Sequence, residues 1–475
     1  MKLSHIAVLS VALVGLLLGT LYLLQPDKGS GIGAEGESAS WNQPNKEFPN
    51  EFPTLHDFFV LLHEDPTAVR QGLNNIVQKW QPGNAIMLLE LSRWLKQTPV
   101  EPLLTKLLVE KLPVGEFDSD RIYGIIWSED VQPHPQYADF KKRLFSQLDP
   151  RFAEYFDDSY PATIRLDEIR WGGVRRDGIP PLVDPKMLSA DQADYLDDSN
   201  IVFGLEINGD ARAYPKRILA WHELFRDTVG EIPVAGVYCT LCGTVIIYDE
   251  TMSGGRYDLG TSGFLYRSNK LMYDQATRSL WSTLKGQPVV GPLVGKGIVL
   301  PRHEVVTTTW GKWKAMHPDT RVLSLETGHE RNYDEGVAYA EYFETDELMF
   351  NVPATDSRLK NKDEVLALRN EDSSQTLAIS AEFLLGNPVW HDQLDGNNLV
   401  VLTDETGANR VYDSGDVQFD SWNQTDTAID SAGTEWKITE SALITEDERT
   451  LPRVAAHRAF WFGWYSAFPE TRLVK

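Results

Sequence analysis

A pattern near the middle of the chain, Trp310-x2-Trp313-x4-Pro318-Asp-Thr-Arg321, returns close to the end as Trp461-x2-Trp464-x4-Pro469-Glu-Thr-Arg472. Three further blocks repeat in the same order. Gly243-Thr-Val-Ile-Ile-Tyr248-Asp249 pairs with Gly407-Ala-Asn-Arg-Val-Tyr412-Asp413, Trp281 with Trp436, and Ala213 with Ala378. Two copies are too few for a solenoid, so the pattern predicts a pair of tandem pseudo-repeats packed on each other. Runs such as Ile201-Val-Phe-Gly-Leu-Glu-Ile207 and residues 232–238 and 244–248 are β-branched or alternating. Asn208-Gly209 marks a two-residue hairpin. Both copies are therefore expected to be mainly β, with repeat one over residues 161–345 and repeat two over 346–475.

Ahead of the repeats the periodicity is helical. Thr54-Leu-His-Asp57 resembles a capping box, and Asp65-Pro66 opens a helix with Val69, Leu73, Ile76, Val77 and Trp80 on one stripe. Similar stripes follow at Leu88, Leu91 and Leu95, at Leu103, Leu104, Leu107 and Leu108, and at Phe140, Leu144 and Leu148. Residues 48–160 thus read as a small all-α bundle, and residues 26–47, rich in Gly, Ser, Glu and Pro, as a flexible linker. Residues 6–24 are apolar for roughly 28 Å of helix, the hydrocarbon thickness of a bilayer. With Lys2 ahead of it, this run predicts a transmembrane signal-anchor over residues 1–25. The expected topology is single-pass in the inner (cytoplasmic) membrane, with the large C-terminal part in the periplasm or outside the cell. The expected fold class is α+β and multidomain. A formal net charge of −24 repels phosphate backbones and argues against a nucleic-acid partner.

Both cysteines of the 475-residue chain fall in copy one, as Tyr238-Cys239-Thr-Leu-Cys242-Gly243 between two strand-like runs. Copy two has Thr403 and Thr406 there, so the scaffold can be built without the thiols. The β-branched residues after Gly243 do not support a thioredoxin-type helix N-terminus, and no His follows as haem attachment requires. The spacing resembles a hairpin knuckle, which supplies half of a four-ligand zinc or iron site. Without a second cysteine pair, the other ligands would have to be His, Met, Asp or Glu. His222 and Met272 are the candidate ligands, with Cu or Zn as the metals suited to sulfur and imidazole. Glu223, Ser268 and Asp274 are candidates for a supporting shell or for ligand contact. A thiol site at Cys239 and Cys242 is a further reading, and a structural disulfide between them is the alternative. In that alternative the protein is a non-catalytic scaffold binding a small ligand or an envelope partner. No G-x-S-x-G elbow, H-E-x-x-H helix or phosphate loop is present, so the residues commit to no enzyme class.

From about Pro135 to the C-terminus the chain resembles a bacterial and archaeal family known as domain of unknown function 3179. The resemblance rests on Arg170-Trp-Gly-Gly, Asp177-Gly-Ile-Pro180, Ala211-Arg-Ala-Tyr-Pro215 and Trp221-His-Glu223. It extends through Tyr238-Cys-x2-Cys-Gly-Thr244, Ser262-Gly263, Ser268-Asn269-x2-Met272-Tyr-Asp274, Leu280-Trp-Ser282, Thr309-Trp-x2-Trp313 and His317-Pro-Asp-Thr320. Thr240 stands where the family commonly has Pro, and the second copy looks degenerate. The resemblance implies an envelope location and a mainly β double domain. It brings no substrate, and it concentrates the polar signature around Trp221-His-Glu223, the knuckle and residues 268–274.

Overall fold

The computed structural model describes residues 51–252, 255–370 and 375–475. The apolar run over residues 6–24 and the linker over 26–47 lie outside them. Among the described residues, no helix is long and apolar enough to cross a membrane. The chain mixes helices and sheets, with a β-rich C-terminal region, in two compact units. One holds residues up to 141 with Trp171–Val174, and the other holds Lys142–Arg170 with Arg175–Lys475.

The first unit is helical. Asp57 accepts the backbone N–H and the hydroxyl of Thr54, at 2.8 and 2.9 Å, at the start of Leu55–Phe59. Asp65 caps Pro66–Gln78 by accepting the Thr67 N–H. That helix buries Val69, Gly72 and Ile76 and leaves Val77 exposed, so its apolar stripe is narrower than the sequence suggests. Asn84–Ser92 departs from a one-faced stripe altogether, because every residue from Asn84 to Leu91 is buried. A helix surrounded by neighbours needs no polar face. Its one carboxylate, Glu90, is met by Lys141 Nζ and the Tyr137 hydroxyl, each at 2.9 Å. Past residue 141, Phe145, Phe152, Tyr155 and Phe156 gather around Phe264, which draws this stretch into the β-rich unit.

In that unit, two series of elements follow one order. The first runs through the hairpin Ile201–Ile207 and Asp210–Pro215, then the helix Lys216–His222 and the meander Leu224–Val229, Ile232–Cys239 and Thr244–Asp249. A second meander from Leu259–Tyr266 to Gln287–Val290 follows. The strand Val306–Thr309, the helix Trp310–Met316 and the strand Arg321–Leu323 end the series. The second series has the hairpin Glu364–Arg369 and Thr376–Ser380, the helix Ala381–Gly386, and the meander Val389–Leu394, Asn397–Thr403 and Asn409–Asp413. A further meander from Phe419–Trp422 to Thr450–Pro452 precedes Ala456–Phe460, the helix Trp461–Ala467 and Arg472–Val474. In both series the last strand returns parallel to the second, and the strand before the tryptophan helix pairs antiparallel with the first.

Side-chain bonds repeat as well. Trp313 Nε1 donates to Thr320 Oγ1 at 2.9 Å and Trp464 Nε1 to Thr471 Oγ1 at 3.0 Å. Trp281 Nε1 reaches Asp274 and Trp436 Nε1 reaches Asp430, while Tyr248 and Tyr412 donate to the carbonyls of Thr283 and Thr439. The Asn208-Gly209 turn takes positive φ at both residues, 50° and 80°, which suits a two-residue hairpin between right-twisted strands.

Candidate functional site

Strands Ile232–Cys239 and Thr244–Asp249 run antiparallel, with Cys239 opposite Thr244, and a single 3-10 turn, Thr240–Cys242, joins them. Gly243 closes the turn in the left-handed region, and a Cβ there would press on the Phe460 ring at about 3.0 Å. The knuckle expected from the sequence is therefore the tip of a hairpin. Both cysteines are free, with their sulfurs in contact at 2.9 Å, so the structural disulfide expected as the alternative is not formed. Cys242 also donates to the carbonyl oxygen of Ser268 at 2.9 Å. Ser268 sits at the tip of the next hairpin, where Arg267 and Ser268 both have positive φ and turn that carbonyl toward the sulfur.

The two thiols are not equivalent. Burial by itself raises Cys239, but the bond to Cys242 and the backbone N–H groups of Lys270, Cys242 and Leu241 hold it below the ordinary thiol value. Burial and the adjoining sulfur push Cys242 well above it. Cys239 is thus the more acidic of the two thiols, and Cys242 holds its proton more tightly.

Around the sulfurs lie Leu241, Leu265, Tyr342, Phe460 and Phe462 as a buried apolar wall. The second series contributes directly, since a Cβ on Gly463 would stand 3.0 Å from Cys242 Cβ. Where the first series carries the knuckle, the second closes its turn without sulfur. Asp404 accepts the N–H groups of Thr406 and Ala408 and the Thr406 hydroxyl, and Thr403 accepts from Asn409.

Glu223 terminates the helix Lys216–His222 in a left-handed conformation at φ 57°. Its carboxylate pairs with Lys270 Nζ and accepts the Tyr339 hydroxyl at 3.3 Å. Lys270 is buried, and desolvation brings its ammonium down to about 7 although Asp177 pulls the other way. His222 lies elsewhere on the helix end. Its Nδ1 donates to the Pro180 carbonyl at 2.8 Å, which makes Nε2 the acceptor for the Tyr333 hydroxyl at 2.5 Å. Burial drives its pKa down to about 4. Met272 fills a core with Leu224, Trp281, Trp461 and Trp464. Asp274 caps a turn, accepting from Ala276, Thr277 and Trp281. Asp430 makes the matching bonds to Ala432, Thr434 and Trp436 in copy two, so this carboxylate serves the scaffold.

The structure therefore brings Ser268 to the cysteines and gives His222, Met272 and Asp274 other partners. Among the described residues, no three His, Cys, Asp or Glu side chains are grouped as a metal would need. Sequence reasoning missed Lys270 and the tyrosines Tyr339 and Tyr342. Lys270 stands between Asn269 and Leu271 with nothing local to mark it as buried, and the tyrosines belong to the segment joining the two series.

A family model described as protein of unknown function (DUF3179) matches residues 176–471, which take in both series of elements except the closing strand Arg472–Val474. No curated protein and no solved structure matches the chain.

Proposed function

The chain belongs to the DUF3179 family, and we propose that Cys239 and Cys242 form a thiol-exchange site. The observation that carries this reading is the pair itself: two buried sulfurs in contact, one thiol lowered and the other raised. In the forward step the Cys239 thiolate attacks a partner disulfide, forming a mixed disulfide and releasing one partner thiolate. Cys242 then loses its proton and attacks Cys239 Sγ, which forms the Cys239–Cys242 bond and releases the second partner sulfur. Two electrons pass to the partner; one of its sulfurs takes the Cys242 proton and leaves as a thiol, and the other leaves as a thiolate.

The two series are read here as copies of one unit in which only the first carries the chemistry. The apolar run over residues 6–24 supports a single-pass anchor that places this site outside the cytoplasm, where thiols meet oxidants. Protection of the β-rich unit from protease added to intact spheroplasts would overturn that placement.

The thiol reading is tested with oxidised glutathione and single-serine variants, followed by intact-mass measurement. Cys242→Ser accumulates a mixed disulfide at Cys239, whereas Cys239→Ser forms about tenfold less, because the remaining thiol is held protonated. Equal trapping by both variants, no trapping by either, or a stoichiometric metal ion in the anaerobically purified protein sinks the proposal.

A further inference from the structure

Between Arg321–Leu323 and Glu364–Arg369 the chain carries one four-residue helix, Ala340–Phe343, and is otherwise irregular. A connection of this length without regular structure is uncommon inside a compact unit unless it serves a purpose. Its course is set by side-chain contacts to copy one. Arg217 Nε donates to the Tyr333 carbonyl, Trp221 Nε1 to the Asn332 carbonyl at 2.8 Å, and the Tyr333 hydroxyl to His222. The Tyr339 hydroxyl meets Glu223, the Tyr342 hydroxyl donates to the Leu241 carbonyl at 2.8 Å, and Ser268 Oγ donates to the Phe350 carbonyl at 3.0 Å. Trp221, His222, Glu223, the knuckle and Ser268 thus all hold residues 332–350.

The same stretch is outwardly acidic, and its far end is tied to Asn361 and Lys362 through Asp346. Glu344, Asp346, Glu347 and Met349 are exposed, while Tyr339, Phe343, Leu348, Phe350 and Val352 pack against the cysteine cluster. With Cys239 only 2% exposed and Cys242 fully covered, no partner sulfur can reach either while this strap is seated.

We infer that residues 332–352 are a displaceable strap, and that the aromatic groove it vacates binds an extended, aromatic-bearing polypeptide segment that delivers the partner disulfide. The strap itself shows the fit. It lies in the groove as a peptide, with rings against Phe460 and Leu265 and polar bonds at the Leu241 carbonyl and the Ser268 hydroxyl. Recognition of this kind uses apolar anchors with a few fixed polar contacts. The inference rests on the thiol reading only for the disulfide the segment carries.

The test uses the full chain with Cys239→Ser and Cys242→Ser, so that no thiol chemistry contributes. A fluorescent synthetic peptide of residues 339–352 is titrated against this protein with and without Trp221→Phe, and anisotropy is read. Loosening the strap through Trp221→Phe strengthens peptide binding about tenfold, and a peptide with alanine at positions 342 and 350 binds about tenfold more weakly than its parent. On the otherwise unaltered chain, hydrogen exchange is faster over residues 339–352 than over Ile232–Cys239, and the Trp221→Phe chain is cut sooner within 344–351 by protease. Absence of peptide binding, or exchange in the strap as slow as in the knuckle strands, overturns the inference. Peptide binding together with failed glutathione trapping would leave the groove standing and remove the thiol reading.

Discussion

Glu440→Ala is expected to lower the unfolding free energy by about 3–5 kcal/mol, because it strands two buried guanidinium groups. Glu440 accepts from Arg410 at 2.6 and 3.0 Å and from Arg453 at 2.5 Å, and all three side chains are almost wholly buried. His317 and Met316 from copy one complete the surroundings, His317 Nε2 at 3.4 Å from the carboxylate and Met316 Sδ at 3.3 Å from Arg410. Burial would raise the Glu440 carboxyl, but Arg410 and Arg453 outweigh it and hold the group well below the usual carboxylate range. A depressed folded pKa contributes stability that is fully present above the unfolded value of about 4.5 and is lost as pH falls below it. Urea midpoints of the wild-type chain should therefore decline from about pH 4.5 downward, and the Glu440→Ala chain should lack that part of the decline. A variant that loses under about 1 kcal/mol would show that water reaches the arginines.

Trp464→Ala is expected to cost about 3–5 kcal/mol, and Trp313→Ala a similar amount, as full removal of a buried indole does in a packed core. Neither side chain is exposed, and each closes its helix onto the following strand through Thr471 or Thr320. The two losses should differ in their effect on the cysteines. Trp464 shares its helix with Gly463, which packs against Cys242, whereas Trp313 lies in a core with Val202, Ala213 and Val322. In urea melts both variants should fall together, while the glutathione-trapped fraction at Cys239 should change in Trp464→Ala alone. An unchanged urea midpoint in either variant would contradict the core placement.

The resemblance to DUF3179 was legible from short blocks, and the structure explains why those blocks were visible. Trp221, His222 and Glu223 have consecutive tasks at the end of one helix: two hold the segment that joins the series, and the third pairs with Lys270 and meets Tyr339. Read without coordinates, a histidine beside a glutamate near two cysteines suggests ligands. The ring of His222 is instead spent on the Pro180 carbonyl and Tyr333, contacts across 42 and 111 residues of sequence. Asp274 is a second case. Its value as a turn cap is evident only beside Asp430, which makes the same bonds in the second series.

Local chemistry determined much about this protein from the sequence alone. Turn residues and β-branched runs are short-range signals, so Asn208-Gly209, the knuckle between two strands and the capped helix at Pro66 could be placed without coordinates. The matching order of blocks likewise depends only on reading one stretch against another. Tertiary structure alone decided what surrounds the two sulfurs. The inequality of Cys239 and Cys242 comes from burial, from the contact between their sulfurs and from N–H groups of their own turn and of Lys270 on the neighbouring hairpin, and the depressed Lys270 comes from desolvation. Part of the cover over them comes from a segment about a hundred residues downstream, and the rest from Phe460 and Phe462. Dielectric surroundings and long-range contacts leave no periodicity in the chain, because they exist only once distant strands have met.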